Sequence, residues 1–344
     1  MFENRDKTDL ETLGEFGLIE HITKDLEVKH AETVLSVGDD AALIKNNSAL
    51  MAISTDMLVE NIHFDLVYTP LMHLGYKAVV ANVSDICAMN GRAEQITCSI
   101  SLSSKFTLEA IEELYKGIYA ACDKYDLDLI GGDTCSSPRG LTISVTAIGK
   151  VDESKVAKRS GASEGDLLCV SGDLGGAYMG LQILEREKRV FIEQPEMQPD
   201  LEQYNYIIGR QLRPEARKDI VELLAEVDVI PTAMIDISDG LASEIFHLCK
   251  ASKIGMKVYE EKLPIDPLTY QTALDLGIDP TVCALNGGED YELLFTIKQE
   301  DYNKIQNSLD VTVIGHCVAE TEGKKIITKS NNEHDLIAQG WKAF

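Results

Sequence analysis

Positive charge is scarce in this sequence: 32 lysines and arginines stand against 57 aspartates and glutamates, leaving a formal net charge of −25 over 344 residues. That deficit argues against nucleic acid and anionic membrane surfaces as partners. Long apolar runs are missing too, since none approaches the roughly 20 residues of a membrane span. The polar, acidic stretch from Met1 to Leu13 lacks the apolar core of a secretory leader. No membrane association is expected, and a cytoplasmic location is. The eight cysteines include no CxxC pair, and several sit in apolar runs such as Leu167-Leu168-Cys169-Val170. They read as reduced, buried small hydrophobes. Aromatics make up 6% of the residues, and Trp341 is the single tryptophan, usable as a core plug or a stacking platform.

The common catalytic signatures are equally absent. There is no GxxxxGK[ST] loop, no GxGxxG after a strand and no GxSxG elbow, and the histidines lack metal-ligand spacing. What remains is oxygen chemistry. Acidic residues recur where apolar runs end: Gly38-Asp39-Asp40, Ser54-Thr55-Asp56, Asp85, Gly132-Asp133-Thr134, Ile235-Asp236-Ile237-Ser238-Asp239-Gly240 and Gly287-Gly288-Glu289-Asp290. Burying carboxylates together is costly unless cations neutralise them. Carboxylates with serine and threonine oxygens suit hard cations such as magnesium, which bind through one or two carboxylates and substrate phosphates.

Taken in order, Glu15 to Leu26 spaces its apolar residues as a short helix, and Thr33 to Val37 reads as a strand that stops at Gly38-Asp39-Asp40 and resumes at Ala41. One of the two aspartates is expected to face a site, and spacing does not decide which. Ala49 to Asp56 is a strand with Ser54 and Asp56 on one face and Thr55 on the other. Leu71 to Met89 is helical, with Asp85 inside its apolar stripe. A metal, a helix cap or an ion pair would each answer that buried acid. Strands over 95–101 and 141–151 flank a helix over 108–125. Two glycines before Asp133 permit close backbone approach to a ligand, or simply a turn.

The polar, unperiodic stretch 152–166 is the expected domain boundary, dividing an N-terminal domain, 1–151, from a C-terminal one, 152–344. It carries Arg159, suited to a phosphate by its planar fork, or to solvent. In the second half, Asp236 closes a short strand, and Ser238 is expected to cap the helix starting at Leu241, where free amides would also suit a phosphate. Strands are expected over 256–259, 291–298 and 311–317. Phosphoryl transfer fits this inventory, because it asks a protein for positioning and charge stabilisation rather than a covalent group.

The segments GEFGLI (14–19), GDDAAL (38–43), ISTDMLVENIHF (53–64), ANVSDICAMNG (81–91), LIGGDT (129–134), RSG (159–161), IDISDGL (235–241) and GGEDYELLF (287–295) together resemble the thiamine-monophosphate kinase family. That family shares the fold of aminoimidazole ribonucleotide synthetase and selenophosphate synthetase. The resemblance implies a two-domain α/β protein with mixed α+β sheets, a homodimer formed through the N-terminal domain, and ATP between the domains. It implies transfer of the ATP γ-phosphoryl group to thiamine monophosphate with several magnesium ions. Carried over by motif, Asp40, Ser54, Thr55, Asp56, Asp85, Asp133, Asp236 and Asp239 resemble the metal set. Of these, Asp40, Asp56, Asp85 and Asp133, with Arg159, are the expected catalytic groups. Tyr115, Gly132, Asp133, Arg159 and Ser238 resemble ATP contacts. His63, Glu289 and Phe344 resemble thiamine monophosphate contacts, with Trp341 a neighbour. The alternatives are another ATP-dependent enzyme of the same superfamily, or a non-catalytic nucleotide or divalent-ion binder. Against two of the relatives, the first cysteine is Cys87 rather than one near the N-terminus, and the chain given ends in Phe344 rather than cysteine.

Overall fold

The computed structural model describes residues 14–26, 28–46, 49–196 and 201–340. The first half runs α1 (Gly14–Thr23), β1 (Thr33–Leu35), β2 (Ala42–Asn46), β3 (Ala49–Val59), α2 (Leu71–Ala88), β4 (Arg92–Leu102), α3 (Leu108–Tyr125), β5 (Asp128–Ser136) and β6 (Leu141–Val151). The second half runs β7 (Leu167–Ser171), α4 (Gly176–Glu193), α5 (Asn205–Leu212), α6 (Lys218–Glu226), β8 (Ala233–Asp236), α7 (Leu241–Ser252), β9 (Gly255–Tyr259), α8 (Pro267–Asp275), α9 (Pro280–Asn286), β10 (Leu293–Ile297), α10 (Tyr302–Ile305), β11 (Val311–Val318), β12 (Lys324–Ile327) and β13 (Glu333–Asp335).

Two mixed sheets result. The first has strand order β1-β2-β3-β6-β4-β5 and the second β13-β12-β9-β11-β7-β10-β8. Each is antiparallel except for one parallel pair, β4 with β5 and β9 with β12. Burial in β6 alternates strictly from Leu141 to Gly149, the period-two pattern of a sheet covered on one face. The covered face lies under α2 and α3. The other face carries Thr55, Met57, Thr142, Ser144 and Thr146, all partly or fully exposed.

α2 organises the molecule. It is buried nearly all the way round, as a helix enclosed by other elements should be. It packs against β3, β4, β6 and α3, and also against β8, α5 and α6 of the second half. Contact with α3 is close because both helices present glycine: a Cβ at Gly75 would lie 2.0 Å from the Leu114 carbonyl oxygen, and one at Gly117 would lie 1.8 Å from that of Met72. The connection between the sheets spans 152–166, and the apolar core is continuous across it. Val83 and Ile86 share one cluster with Ile220, Leu224, Met234 and Phe295.

α3 and β6 have the bounds read from the sequence, and several elements differ. The chain does not resume in line after Gly38-Asp39-Asp40; β1 and β2 pair antiparallel, so those residues form the turn of a hairpin, opened by Gly38 at φ 123°. β3 runs three residues beyond Asp56, because its ladder with β6 continues to Val59. Gly131-Gly132-Asp133 lies within β5 rather than beyond it, since β4 pairs with it through Ser136. α8, α9, β12 and β13 had no counterpart in the sequence reading. All eight cysteines are free; seven are buried and Cys135 is exposed. No helix among the described residues is long and apolar enough to cross a membrane.

Candidate active site

Three elements deliver carboxylates to one point. Asp40 comes from the β1–β2 turn, Asp85 from the last turn of α2 and Asp236 from the end of β8. One carboxylate oxygen of each lies within 4.8 Å of the others. Asp56, from β3, hydrogen-bonds to Asp85, and its own amide donates to Asn82 Oδ1 at 2.9 Å. Serine hydroxyls orient the group: Ser54 Oγ donates to Asp85 Oδ2, and Ser84 Oγ donates to Asp236 Oδ2 at 2.6 Å.

Electrostatics follow from the crowding. Burial, then Asp56, Asp236 and Asp40 as like charges, push Asp85 well above the usual carboxylate range. Burial raises Asp236 to about 7, reinforced by Asp40 and opposed by Ser84. Burial also raises Asp40 and Asp56. Burial and mutual repulsion thus disfavour the ionised forms of carboxylates so placed. Both aspartates of the hairpin turn take part. Asp39 accepts from the Arg159 amide at 3.2 Å, and Asp40 Oδ1 accepts from Arg159 Nη2 at 2.7 Å. Asp40 Oδ2 remains buried without a partner. An all-oxygen donor set with one orphaned carboxylate oxygen fits a hard divalent cation.

Ser238 and Asp239 follow Asp236 at the end of β8 and are more exposed than it. Burial raises Asp239 to about 6, and Glu15 of α1 adds to it. Ser238 does not cap α7. The N-cap is Gly240, without a side-chain bond, and the Asp239 amide is taken instead by the buried Glu244 carboxylate at 3.0 Å. Ser238 is exposed, and its carbonyl accepts from the Glu289 amide at 2.7 Å.

A second constellation adjoins the first. Glu289 Oε1 lies 2.8 Å from Lys77 Nζ, and its Oε2 accepts from Gln211 Nε2 at 2.7 Å. His63 accepts through Nδ1 from the Val59 amide at 3.0 Å. Burial lowers its pKa, partly offset by the neighbouring Glu289. The rest of the Gly-Gly-Glu-Asp-Tyr-Glu motif is structural. Asp290 accepts from the Gly175 amide at 2.9 Å beside the start of α4. Glu292 is clasped by Arg210 at 2.8 Å and Arg217 at 2.5 Å.

Other expected site residues stand apart within this chain. Thr55 lies on the opposite face of β3 from Asp56, and its hydroxyl donates to the Val145 carbonyl at 3.1 Å. Asp133 is exposed on the edge strand, opposite Ser99 and separated from β3 by β4 and β6. Its Oδ1 accepts from the Thr134 amide at 2.9 Å. Three strand spacings amount to about 14 Å, so Asp133 does not join the acidic cluster. Gly132 lets β5 approach β4, because a Cβ there would lie 1.8 Å from the Cys98 carbonyl oxygen. Tyr115 is half-buried on α3, its ring 6.0 Å from that of Tyr119. Trp341 and Phe344 lie outside the described residues. Gly340 reaches the site, since a Cβ there would lie 2.2 Å from the Asp239 carbonyl oxygen.

Sequence reasoning missed Lys77, Asn82, Ser84, Gln211 and Glu244. Lys77 carried the same signal as Asp85, a charge inside the apolar stripe of α2. Gln211 carried none.

Comparison with known proteins agrees with this architecture. Residues 38–151 match the family described as AIR synthase related protein, N-terminal domain. A thiamine-monophosphate kinase of Bacillus subtilis is 32% identical over 96% of this chain and all of its own length. That of Aquifex aeolicus is 36% identical over 97% of this chain and 99% of its own. A solved structure described as AaThiL complexed with AMPPCP and TMP superposes with a TM-score of 0.83 at 33% identity, covering 99% of this chain and all of that one. An E. coli hydrogenase maturation protein, at 18% identity and a TM-score of 0.65, covering 83% of this chain and 85% of that one, shares the fold. Full-length identity of this order, with Asp40, Asp85 and Asp236 gathered at one point, places the sequence: the chain belongs to the thiamine-monophosphate kinase family.

Proposed function

We propose that this chain transfers the γ-phosphoryl group of ATP to thiamine monophosphate, giving thiamine diphosphate and ADP. The observation that carries this is the convergence of Asp40, Asp85 and Asp236 from separate elements, in a chain similar to a protein solved with both AMPPCP, an ATP analogue, and TMP. A phosphate oxygen of thiamine monophosphate attacks the γ-phosphorus. The bond from that phosphorus to the β–γ bridging oxygen breaks, and its electron pair leaves with ADP. The acceptor oxygen is already anionic, so no protein base is required. Repulsion between the two anions is the obstacle, and at −25 the chain has little positive charge to offset it.

Asp40, Asp85 and Asp236, with Asp56 beside them, would hold magnesium, which would supply that neutralisation. The chain's own residues prepare the site. Arg159 engages Asp40 Oδ1 and so leaves Oδ2 as the open ligand atom. Ser54 and Ser84 fix Asp85 and Asp236. Ser238 and Asp239, which follow Asp236 in the chain, would meet the nucleotide phosphates and a further ion. His63 and Glu289 line the thiamine end.

The uncovered face of the first sheet, with Met57 55% exposed, suits a homodimer. Asp133 lies on that face, so a second copy seated there would bring it into a shared interface. Eight free cysteines and dependence on ATP suit the cytoplasm. Incubation with magnesium, γ-labelled ATP and thiamine monophosphate tests the reading. Label should appear in thiamine diphosphate, and only when thiamine monophosphate is present. Release of labelled inorganic phosphate alone would overturn it.

A further inference from the structure

α2 presents two charged groups to the site, and the proposed reaction uses only one of them. Lys77 lies eight residues before Asp85, about 12 Å along the helix axis, and seven before Ser84, so on nearly the same face. Its side chain is 4% exposed, while that of Glu289 is 31% exposed. A buried ammonium group must be paired. Lys77 has two partners, Glu289 Oε1 at 2.8 Å and the Gln211 carbonyl at 3.1 Å. Gln211 then closes the ring by donating from Nε2 to Glu289 Oε2 at 2.7 Å. Both carboxylate oxygens of Glu289 are therefore fixed from the protein side, while its side chain keeps 31% exposure and its charge acts on His63.

The backbone around Glu289 needs such fixing. Glu289 and Tyr291 adopt left-handed conformations at φ 56° and 52°, rare for residues with side chains. Hydrogen bonds from the Glu289 amide to Ser238 and from the Tyr291 amide to Ile237, at 2.7 and 2.9 Å, tie this turn to the strand end that bears Asp236. Lys77 and Gln211 complete the restraint from the side of α2 and α5.

We propose that Lys77 and Gln211 are positioning residues for substrate recognition. They hold Glu289 paired and oriented, as an acceptor for a hydrogen-bond donor on the ring system of the phosphate-bearing substrate. An ionised carboxylate only accepts. Neutralised by Lys77, it offers direction rather than net charge, so it favours a ring carrying an amino group, as the aminopyrimidine of thiamine does. The helix sets the spacing of the two anchors: Lys77, which holds Glu289, and Asp85 of the acidic cluster stand about 12 Å apart along the axis of one rigid element. This inference rests on the kinase reading above.

The test is steady-state kinetics on the full chain, comparing wild type with Lys77→Met, Gln211→Leu, Glu289→Gln and the Lys77→Met/Glu289→Gln double variant. Lys77→Met should raise KM for thiamine monophosphate about ten- to a hundredfold, with KM for ATP within about twofold of wild type. Gln211→Leu, which removes no charge, should move the same constant in the same direction by less, and it carries the test if Lys77→Met fails to fold. In the Glu289→Gln background, Lys77→Met should add less than about threefold, because Lys77 acts through Glu289. Multiplicative effects, an unmoved KM for thiamine monophosphate, or equal changes in both KM values would overturn the proposal alone. A wild-type chain inactive toward thiamine monophosphate would overturn the kinase reading, and this inference with it.

Discussion

Arg159 and Asp40 form a one-sided pair: Nη2 donates to Oδ1 at 2.7 Å, while Oδ2 of the same carboxylate is buried with no partner. A purely structural ion pair would satisfy both oxygens. This one leaves a buried acceptor over, on a carboxylate that stands among other acids.

Replacing Arg159 therefore separates two roles. Arg159→Met should lower stability by about 2 kcal/mol in EDTA, as expected for a lost charged hydrogen bond, and should cut kcat on the order of a hundredfold. Arg159→Lys should recover most of the stability and part of the rate. Urea unfolding and initial rates check both; equal rates in all three proteins would remove Arg159 from the site.

Asp85→Asn should leave the metal-free fold as stable as wild type or more so, since it deletes a carboxylate that burial and three like charges already disfavour. Turnover should fall at least about a hundredfold, because a neutral amide cannot offset metal charge. Melting in EDTA, with rates at saturating magnesium, tests the two halves separately. Near-normal rates would contradict the metal role.

Glu292 is 1% exposed and lies between Arg210 and Arg217. Glu292→Ala takes the buried carboxylate from two arginines, leaving Arg217 with Asp219 and Arg210 with Asp290, and opens a hole, so it should cost about 3–5 kcal/mol in urea unfolding. Glu292→Gln keeps the volume and should cost less. A loss under about 1 kcal/mol for the alanine variant would show the knot to be dispensable.

His247 supplies a pH signature. Burial lowers its pKa to about 4, helped by Arg159 and Lys250, while in the unfolded chain it titrates near 6.5. Between these values the unfolded state binds a proton that the folded state refuses. Its contribution to stability is thus complete above about pH 6.5 and is lost as pH falls toward 4. His247→Phe, which keeps a ring against Phe16 at a position now 4.1 Å from it, should flatten the melting temperature across that window. Parallel profiles for both proteins would refute this assignment.

Much of the site was legible because a carboxylate that ends or interrupts an apolar run is conspicuous. Asp236 closes β8, and Asp85 breaks the stripe of α2. α3 and β6 were legible for a related reason, their periodicity being uninterrupted and flanked by turn residues. What sequence could not supply was distance between chain-remote partners. Lys77 meets Glu289 across 212 positions, and Gln211 in a short polar helix announces nothing. Glycine pairs mislead in another way: Gly131-Gly132 looks like a strand end, yet it continues β5, since glycine at 132 permits the close approach to Cys98. The expected Ser238 cap failed because Gly240, at φ 123°, occupies the N-cap and Glu244 reaches back to the Asp239 amide.

Calorimetric titration of manganese into metal-free protein, with AMPPCP present, bears most directly on whether these acids form a cation site. Wild type should bind, and the Asp40→Asn/Asp85→Asn/Asp236→Asn variant should bind at least about a hundredfold more weakly, with an unchanged far-ultraviolet circular dichroism spectrum. Equal affinity in a folded triple variant would mean that the cluster holds no metal.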